Sequence, residues 1–284
     1  MITVAVQRSG RLSEKTLQLF HECGIQFENG GKEKLMTKAS NFPMTILFLR
    51  DDDIPGCIAD QSADAGVVGE NVYLEKSDAL ELVERLGFAR CRLSIAIPKS
   101  MSYQSLNDLN GLKIATSYPR ILQKFLDKNN LQAEIHEING SVEIAPGIGL
   151  ADVIFDIVST GSTLISNGLH EVEKVLNSEA VIIARPNMEK EKKQILERLL
   201  FRARAVRKGT RNKYILLNSP NDKIEEITKI LPGMKSPTVM PLAMPGWSSL
   251  HSVIQEDDFW EIIESLKKLG AEGILVVPIE KMIQ

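Results

Sequence analysis

Five consecutive small residues, Ser159-Thr-Gly-Ser-Thr163, carry four hydroxyls and one glycine. They follow Leu150-Ala-Asp-Val-Ile-Phe-Asp-Ile-Val158, whose apolar and β-branched residues read as a buried strand. A helix-like segment over residues 164–169 comes next. Strand, small loop and helix start together can cradle a phosphate. Backbone N–H groups and the helix N-terminus face the anion, Gly161 permits close approach, and the hydroxyls of Ser159, Thr160, Ser162 and Thr163 add donors. Asp156 stands just before the loop, where it can accept hydrogen bonds from sugar hydroxyls. An ordinary strand–helix turn would share this pattern, so the rest of the chain has to decide.

The elements that would position this loop occur twice. Residues 2–6 read as a strand, Gln7-Arg-Ser-Gly-Arg11 as a polar turn, and residues 13–23 as an amphipathic helix ending at Gly24. Residues 112–120 and then 121–128 repeat that order. A second pair matches as well. Residues 46–53 lead to Ala63-Asp-Ala-Gly-Val-Val-Gly-Glu70, and residues 135–143 lead to Ala151-Asp and the small loop. This alternation predicts two similar α/β lobes with mainly parallel sheets, and all these loops at strand carboxyl ends facing a cleft. Asp64 and Asp152 occupy equivalent, structural positions. Asp51, Asp52 and Asp53, before Ile54-Pro55, read as helix-capping. Residues 171–176 and 180–184 should return the chain to the first lobe, followed by a charged helix over 189–205. Arg207-Lys-Gly-Thr-Arg-Asn-Lys213 reads as a solvated basic linker. The remainder alternates βαββαβ, a ferredoxin-like order.

The totals exclude several classes. Over 284 residues the net charge is −3 and aromatics are 5%, which argues against a nucleic-acid surface. Cys23, Cys57 and Cys91 are widely spaced and odd in number, suiting neither a disulfide framework nor a zinc site. No apolar run approaches the roughly 20 residues of a membrane span. With no basic leader pattern at the N-terminus, a cytoplasmic protein is expected.

Eight motifs taken together resemble the long form of the ATP phosphoribosyltransferase family. They are Gln7-Arg-Ser-Gly-Arg-Leu12, Arg50-Asp-Asp-Asp-Ile-Pro-Gly56, Gly66-Val-Val-Gly-Glu-Asn71, Ile114-Ala-Thr-Ser-Tyr-Pro119, Asn139-Gly-Ser-Val-Glu143, Asp156-Ile-Val-Ser-Thr-Gly-Ser-Thr-Leu164, Ser236-Pro-Thr-Val-Met-Pro-Leu-Ala243 and Pro278-Ile-Glu-Lys-Met282. The resemblance covers essentially the whole chain. It implies transfer of a phosphoribosyl group from phosphoribosyl pyrophosphate to N1 of ATP. It also implies two lobes like type II periplasmic binding proteins and a third, histidine-binding domain for feedback inhibition. The boundaries would be 1–90 with 176–206 for lobe I, 91–175 for lobe II and 212–284 for the regulatory domain. Dimers and hexamers, Mg²⁺ as cofactor and competition by AMP are implied as well.

Residue by residue, the resemblance assigns the sugar-phosphate to Asp156, Ser159, Thr160, Gly161, Ser162 and Thr163. It assigns ATP to Gln7, Ser9, Gly10, Arg11, Arg50, Gly69, Glu70 and Tyr118, although Tyr118-Pro119 could equally shape its own turn. Arg11, Glu143 and Asp156 are the expected catalytic residues. Glu70 and Glu143 are candidates for the proton acceptor, and no metal ligand is assigned. The histidine pocket maps onto Asn218, Met234, Ser236, Thr238 and Gly273. Asn218 departs from the acidic residue of some relatives, so the charge-assisted bond to the ligand's amino group would be missing. Two other readings stay open here: a non-catalytic two-lobe small-molecule binding protein, and an inactive regulatory subunit.

Overall fold

Short apolar runs, mostly β-branched, pair into three sheets, and the helices that follow them cover the sheet faces. The computed structural model describes residues 1–28, 35–77, 79–231 and 233–283. The chain divides into two compact units, Met1–Glu197 and Arg198–Gln284.

Unit 1 begins with β1 (Ile2–Gln7), α1 (Arg11–Glu22), β2 (Met36–Lys38), β3 (Met44–Leu49), α2 (Ile54–Ala59), β4 (Ala65–Gly69), α3 (Glu70–Lys76) and β5 (Glu81–Arg85). The second lobe follows with β6 (Cys91–Pro98), β7 (Lys113–Thr116), α4 (Pro119–Lys128), β8 (Glu134–Glu137), β9 (Val153–Val158), α5 (Ser162–Ser166) and β10 (Leu169–Ser178). The chain then enters β11 (Ala180–Ala184) and α6 (Lys190–Thr210). The first sheet has the order β2-β3-β1-β4-β11-β5, and the second β10-β6-β9-β7-β8.

The duplication shows in the pairing. β3-β1-β4 is a parallel trio and β8-β7-β9 is its counterpart. An antiparallel strand joins each trio, β11 on β4 and β6 on β9. The sheets are thus mixed, with a parallel centre in each. Asp64 Oδ2 accepts the backbone N–H of Thr3 at 2.9 Å, and Asp152 Oδ2 accepts that of Lys113 at 2.8 Å. Both aspartates tie the start of the third trio strand to the first, the structural role expected of them. Asp64 also holds Arg185 and Lys192. Burial alone would raise its pKa, but the Thr3 N–H and these two cations hold it below the ordinary value.

Three expectations for this region are corrected. The helix after the small loop begins earlier, at Ser162, and gives way to strand at Leu169. Residues 171–176 belong to β10 in the second sheet, because they pair antiparallel with β6, so the return to the first lobe comes only after Ser178. Residues 207–210 are helical, not linker, and β12 (Asn212–Pro220) starts two residues later. Gly209 is accommodated in that helix because a Cβ there would lie 2.7 Å from the Ile279 carbonyl oxygen. Leu196, Leu199, Leu200, Ala203 and Val206 form the buried stripe of α6.

Unit 2 continues from β12 through α7 (Ile224–Ile230), β13 (Thr238–Pro241), β14 (Trp247–Gln255), α8 (Phe259–Lys268) and β15 (Glu272–Pro278). Its sheet is fully antiparallel, in the order β13-β14-β12-β15, which is the expected ferredoxin-like arrangement. Ile215, Leu217, Leu250 and Ile254 of the sheet pack with Ile227 and Leu266 of the helices.

A buried helix cap joins the two lobes of unit 1. Tyr118, at the start of α4, makes no side-chain cap. Glu75 of α3, in the other lobe, replaces it: its carboxylate accepts the N–H of Arg120 and of Ile121, both at 2.9 Å. Glu75 is 3% exposed. A buried carboxylate on a helix N-terminus satisfies two otherwise unpaired donors and complements the helix dipole. Glu75→Ala should therefore lower stability by about 2–3 kcal/mol. Urea unfolding tests this, and a midpoint equal to wild type would refute it. Glu75→Gln should lose less, since its amide oxygen still accepts one of the two bonds.

Candidate active site

In both parallel trios the strands end at the same side, so six loops converge on the cleft between the lobes. From the first lobe come Gln7, Ser9 and Gly10 after β1, Arg50 after β3, and Gly69 and Glu70 after β4. From the second come Tyr118 after β7, Glu143 in a 3₁₀ turn after β8, and Ser159 to Thr163 after β9. Arg11 is the first residue of α1, and both Arg11 and Arg50 are exposed. Among the described residues, no hydrogen bond or ion pair joins either arginine to the second lobe.

The small-residue stretch runs into α5, whose first two residues are Ser162 and Thr163. Gly161 caps α5 in the left-handed region at φ 83°, a conformation that side chains with a Cβ adopt at a cost. Thr160 Oγ1 and Ser162 Oγ lie 3.0 Å apart. The first-turn N–H groups of α5 have no partner within the helix. The carbonyl of Ser159 is held from β6 by Arg92 Nη1 at 3.1 Å.

Asp156, near the end of β9, is half-buried. Burial pushes its carboxyl up to about 6; the negative charge of Glu143 adds to this and the Ile157 backbone N–H opposes it. Tyr118 sits opposite. Burial first, and then the charge of Asp156, hold its hydroxyl above the ordinary value, with smaller contributions from Asp51 and Asp52 of the first lobe. Tyr118 thus both starts α4 and faces the carboxylates of the two lobes. Its hydroxyl accepts a hydrogen bond from Asn71 Nδ2 at 3.1 Å. Asn71 in turn accepts from Ser178 Oγ at 2.8 Å. Gly69 is needed here because a Cβ would lie 2.3 Å from Asn71 Oδ1.

The capping assignment for Asp51, Asp52 and Asp53 does not hold. The three form a 3₁₀ turn themselves, and no aspartate side chain caps it or α2. Asp51 is instead partly buried at the cleft, where burial and then the charge of Asp52 raise its pKa. Glu70 is ion-paired with Arg85. It lines a cavity of about 470 Å³ with Arg85, Arg90, Cys91, Asn177, Ser178 and Glu179. Sequence reasoning missed Asn71, Glu75 and Arg92, each of which acts through a partner far away in the chain. For Asn71 the only signal was its place at the end of the Gly66-to-Asn71 motif.

In unit 2, Asn218, Thr238 and Gly273 share the sheet face away from the helices. Thr238 is paired with His251, His251 with Leu216, and a Cβ on Gly273 would lie 3.2 Å from Asn218 Nδ2. On the same face Tyr214 Oη lies 2.8 Å from His251 Nδ1. Met234 and Ser236 lie in the exposed segment before β13.

Two α/β lobes, each built on a parallel trio with loops at the strand carboxyl ends, carry the small-residue loop and the half-buried carboxylates Asp51, Glu143 and Asp156. The ATP phosphoribosyltransferase family model matches residues 50–205, and the HisG C-terminal domain model matches residues 210–281. ATP phosphoribosyltransferase of Cytophaga hutchinsonii is 58% identical over 284 residues, covering 100% of this chain and 99% of that protein. The protein of the same name from Bacteroides thetaiotaomicron is 58% identical over 283 residues, covering 100% of both. Among solved structures, the ATP phosphoribosyl transferase (HisG:HisZ) complex from Thermotoga maritima superposes with a TM-score of 0.60 at 26% identity, covering 72% of this chain and 99% of that one. The chain belongs to the ATP phosphoribosyltransferase family.

Proposed function

We propose that the chain transfers the phosphoribosyl group of phosphoribosyl pyrophosphate to N1 of ATP, the first step of histidine biosynthesis. What supports this is the full-length likeness to ATP phosphoribosyltransferases, together with Asp156 of the second lobe and Asp51 of the first both acting on Tyr118.

The loop takes the 5′-phosphate on its hydroxyls and on the N–H groups at the start of α5. Asp156, ionised, accepts from the ribose hydroxyls, with Glu143 beside it. Gln7, Ser9, Gly10, Arg11, Arg50 and Gly69 form the ATP side on the first lobe. Adenine N1 attacks the anomeric carbon, the bond from that carbon to the pyrophosphate oxygen breaks, and pyrophosphate leaves with the electron pair. Arg11 and Arg50 are the chain's cations for that developing charge. Of the two candidate proton acceptors, Glu143 fits better, because the Glu70 carboxylate is occupied by Arg85.

Among the described residues no group of three or more His, Cys, Asp or Glu is set to hold a metal. Mg²⁺ would be carried in on the pyrophosphate oxygens, the hard donors it prefers, and would neutralise leaving-group charge. The work belongs to the cytoplasm. AMP, sharing the adenosine and phosphate features of the product, should compete at the cleft.

The test is direct. Purified protein is mixed with ATP, phosphoribosyl pyrophosphate, Mg²⁺ and pyrophosphatase, and the N1-substituted adenine is followed by ultraviolet absorbance. No product at any salt concentration or pH would sink the proposal. Histidine, bound at the Asn218–Thr238–Gly273 face, should slow the rate and shift the protein from dimer toward hexamer. Because Asn218 lacks a charge, half-inhibition should require roughly tenfold more histidine than for an Asn218→Asp variant. Rate and sedimentation both unchanged by histidine would remove the regulatory part.

A further inference from the structure

The geometry assigns the orientation of the phosphate loop to Arg92, a positioning residue held by Glu171. This inference rests on the reading of Ser159–Thr163 as the 5′-phosphate loop. Arg92 lies on β6, in register with Val158, the last residue of β9, so its side chain starts level with the loop's first peptide. Its planar fork is divided between two partners. Nε donates to Glu171 Oε1 at 2.6 Å and Nη2 to Oε2, while Nη1 donates to the Ser159 carbonyl at 3.1 Å. Glu171 Oε1 also accepts a hydrogen bond from Ser94 Oγ at 2.7 Å, and Ser94 is completely buried. The carboxylate cannot follow the arginine if the loop moves; the arginine is braced between them.

The consequence follows from the peptide plane. In a trans peptide the carbonyl and the next N–H point in opposite directions. Drawing the Ser159 carbonyl toward Arg92 therefore turns the Thr160 N–H away from the sheet. That N–H is a backbone donor of the loop, two residues before α5. Arg92 lets this donor be set before any anion arrives, the condition under which hydrogen bonds to an anion are strongest per contact. A lysine cannot repeat the arrangement, because its point charge lacks the flat fork that spans a carboxylate and a carbonyl together.

The experiment compares wild type, Arg92→Lys, Arg92→Met and Glu171→Gln by steady-state kinetics with each substrate varied in turn. For Arg92→Met, KM for phosphoribosyl pyrophosphate should rise about 30-fold or more, with KM for ATP changed less than twofold and kcat less than threefold. Arg92→Lys should fall between the two, near tenfold. Glu171→Gln keeps the fold's volume and the arginine but loosens the brace, and a rise of about fivefold confined to the same substrate is expected. It also serves as the readout if Arg92→Met fails to fold. Equal changes in both KM values, or none in the first, would overturn the assignment. Calorimetric titration with ribose 5-phosphate separates this idea from the reading beneath it. Binding by wild type without turnover would defeat the transferase reading alone. Equal affinity of wild type and Arg92→Met would defeat the Arg92 assignment alone, and no binding by wild type defeats both.

Discussion

Exchange of Asp156 for asparagine is expected to lower kcat/KM for phosphoribosyl pyrophosphate by about 100-fold or more, and at the same time to raise the melting temperature at pH 8. Both effects come from one carboxylate. Hydrogen bonds to a charged acceptor contribute roughly 1.5–3 kcal/mol each, and a factor of 100 is about 2.7 kcal/mol. The opposite sign for stability comes from burial. The folded protein holds this carboxyl at about 6 against 3.8 for an unfolded chain, so the protonated form is the one the fold prefers. The stabilisation it gives is complete below about pH 4 and is lost as pH rises through 6. Above that the wild type buries an ionised group at a cost of roughly 3 kcal/mol, which a neutral asparagine avoids. Wild type and variant should thus melt together at pH 4 and diverge by pH 8. The kcat/KM profile of wild type should climb through about pH 6, since only the ionised form accepts from sugar hydroxyls, and the variant should lack that limb. A variant that is less stable at pH 8, or that keeps the acid limb, would show that Asp156 does something else.

Gly161→Val should weaken phosphoribosyl pyrophosphate binding about 100-fold and leave ATP binding within twofold. Space does not decide this: a Cβ there would sit an ordinary 3.9 Å from Val158 Cγ1. The backbone does. At φ 83° a β-branched residue is strained by about 1–3 kcal/mol, and the loop relaxes by turning its N–H groups off the anion. Asparagine tolerates the left-handed region, so Gly161→Asn should stay within about fivefold of wild type. The pair of variants is the control. If asparagine is as damaging as valine, bulk near the phosphate is the cause; if both substrates suffer equally, the loop has been given the wrong ligand. Binding measured by calorimetry for each substrate decides.

Much of this was legible in the chain because local pattern and fold agree. The strand, small-loop and helix order around Ser159–Thr163, the paired Asp64 and Asp152, and the βαββαβ tail are short-range signals, and each appears where the pattern put it. What was missed is long-range. Glu75 looks like any helical glutamate until α4 of the other lobe is set against it. Arg92 and Glu171 are 79 positions apart, and only the β6–β10 pairing brings them together. Asp51 was misread because an acidic run before Ile54-Pro55 is also how helices are capped, and the 3₁₀ turn took its place. The basic segment at 207–213 was misread because glycine and charge signal a loop, while the close Ile279 carbonyl that makes glycine suitable there cannot be seen locally.

The crossing between the lobes has a consequence for how the chain reaches its native state. β11 lies between β4 and β5 of the first sheet, yet the whole second lobe is synthesised before it. Closing the first sheet would mean ordering a very long loop, with the entropy loss and slow search that such non-local pairing brings. The second lobe removes most of that obstacle, because Cys91 and Ser178, the residues where it begins and ends, are direct partners in the β6–β10 pair. Once it has folded, the strands it separates are delivered side by side. A second lobe that folds first would therefore shorten the search by which β11 finds its place between β4 and β5.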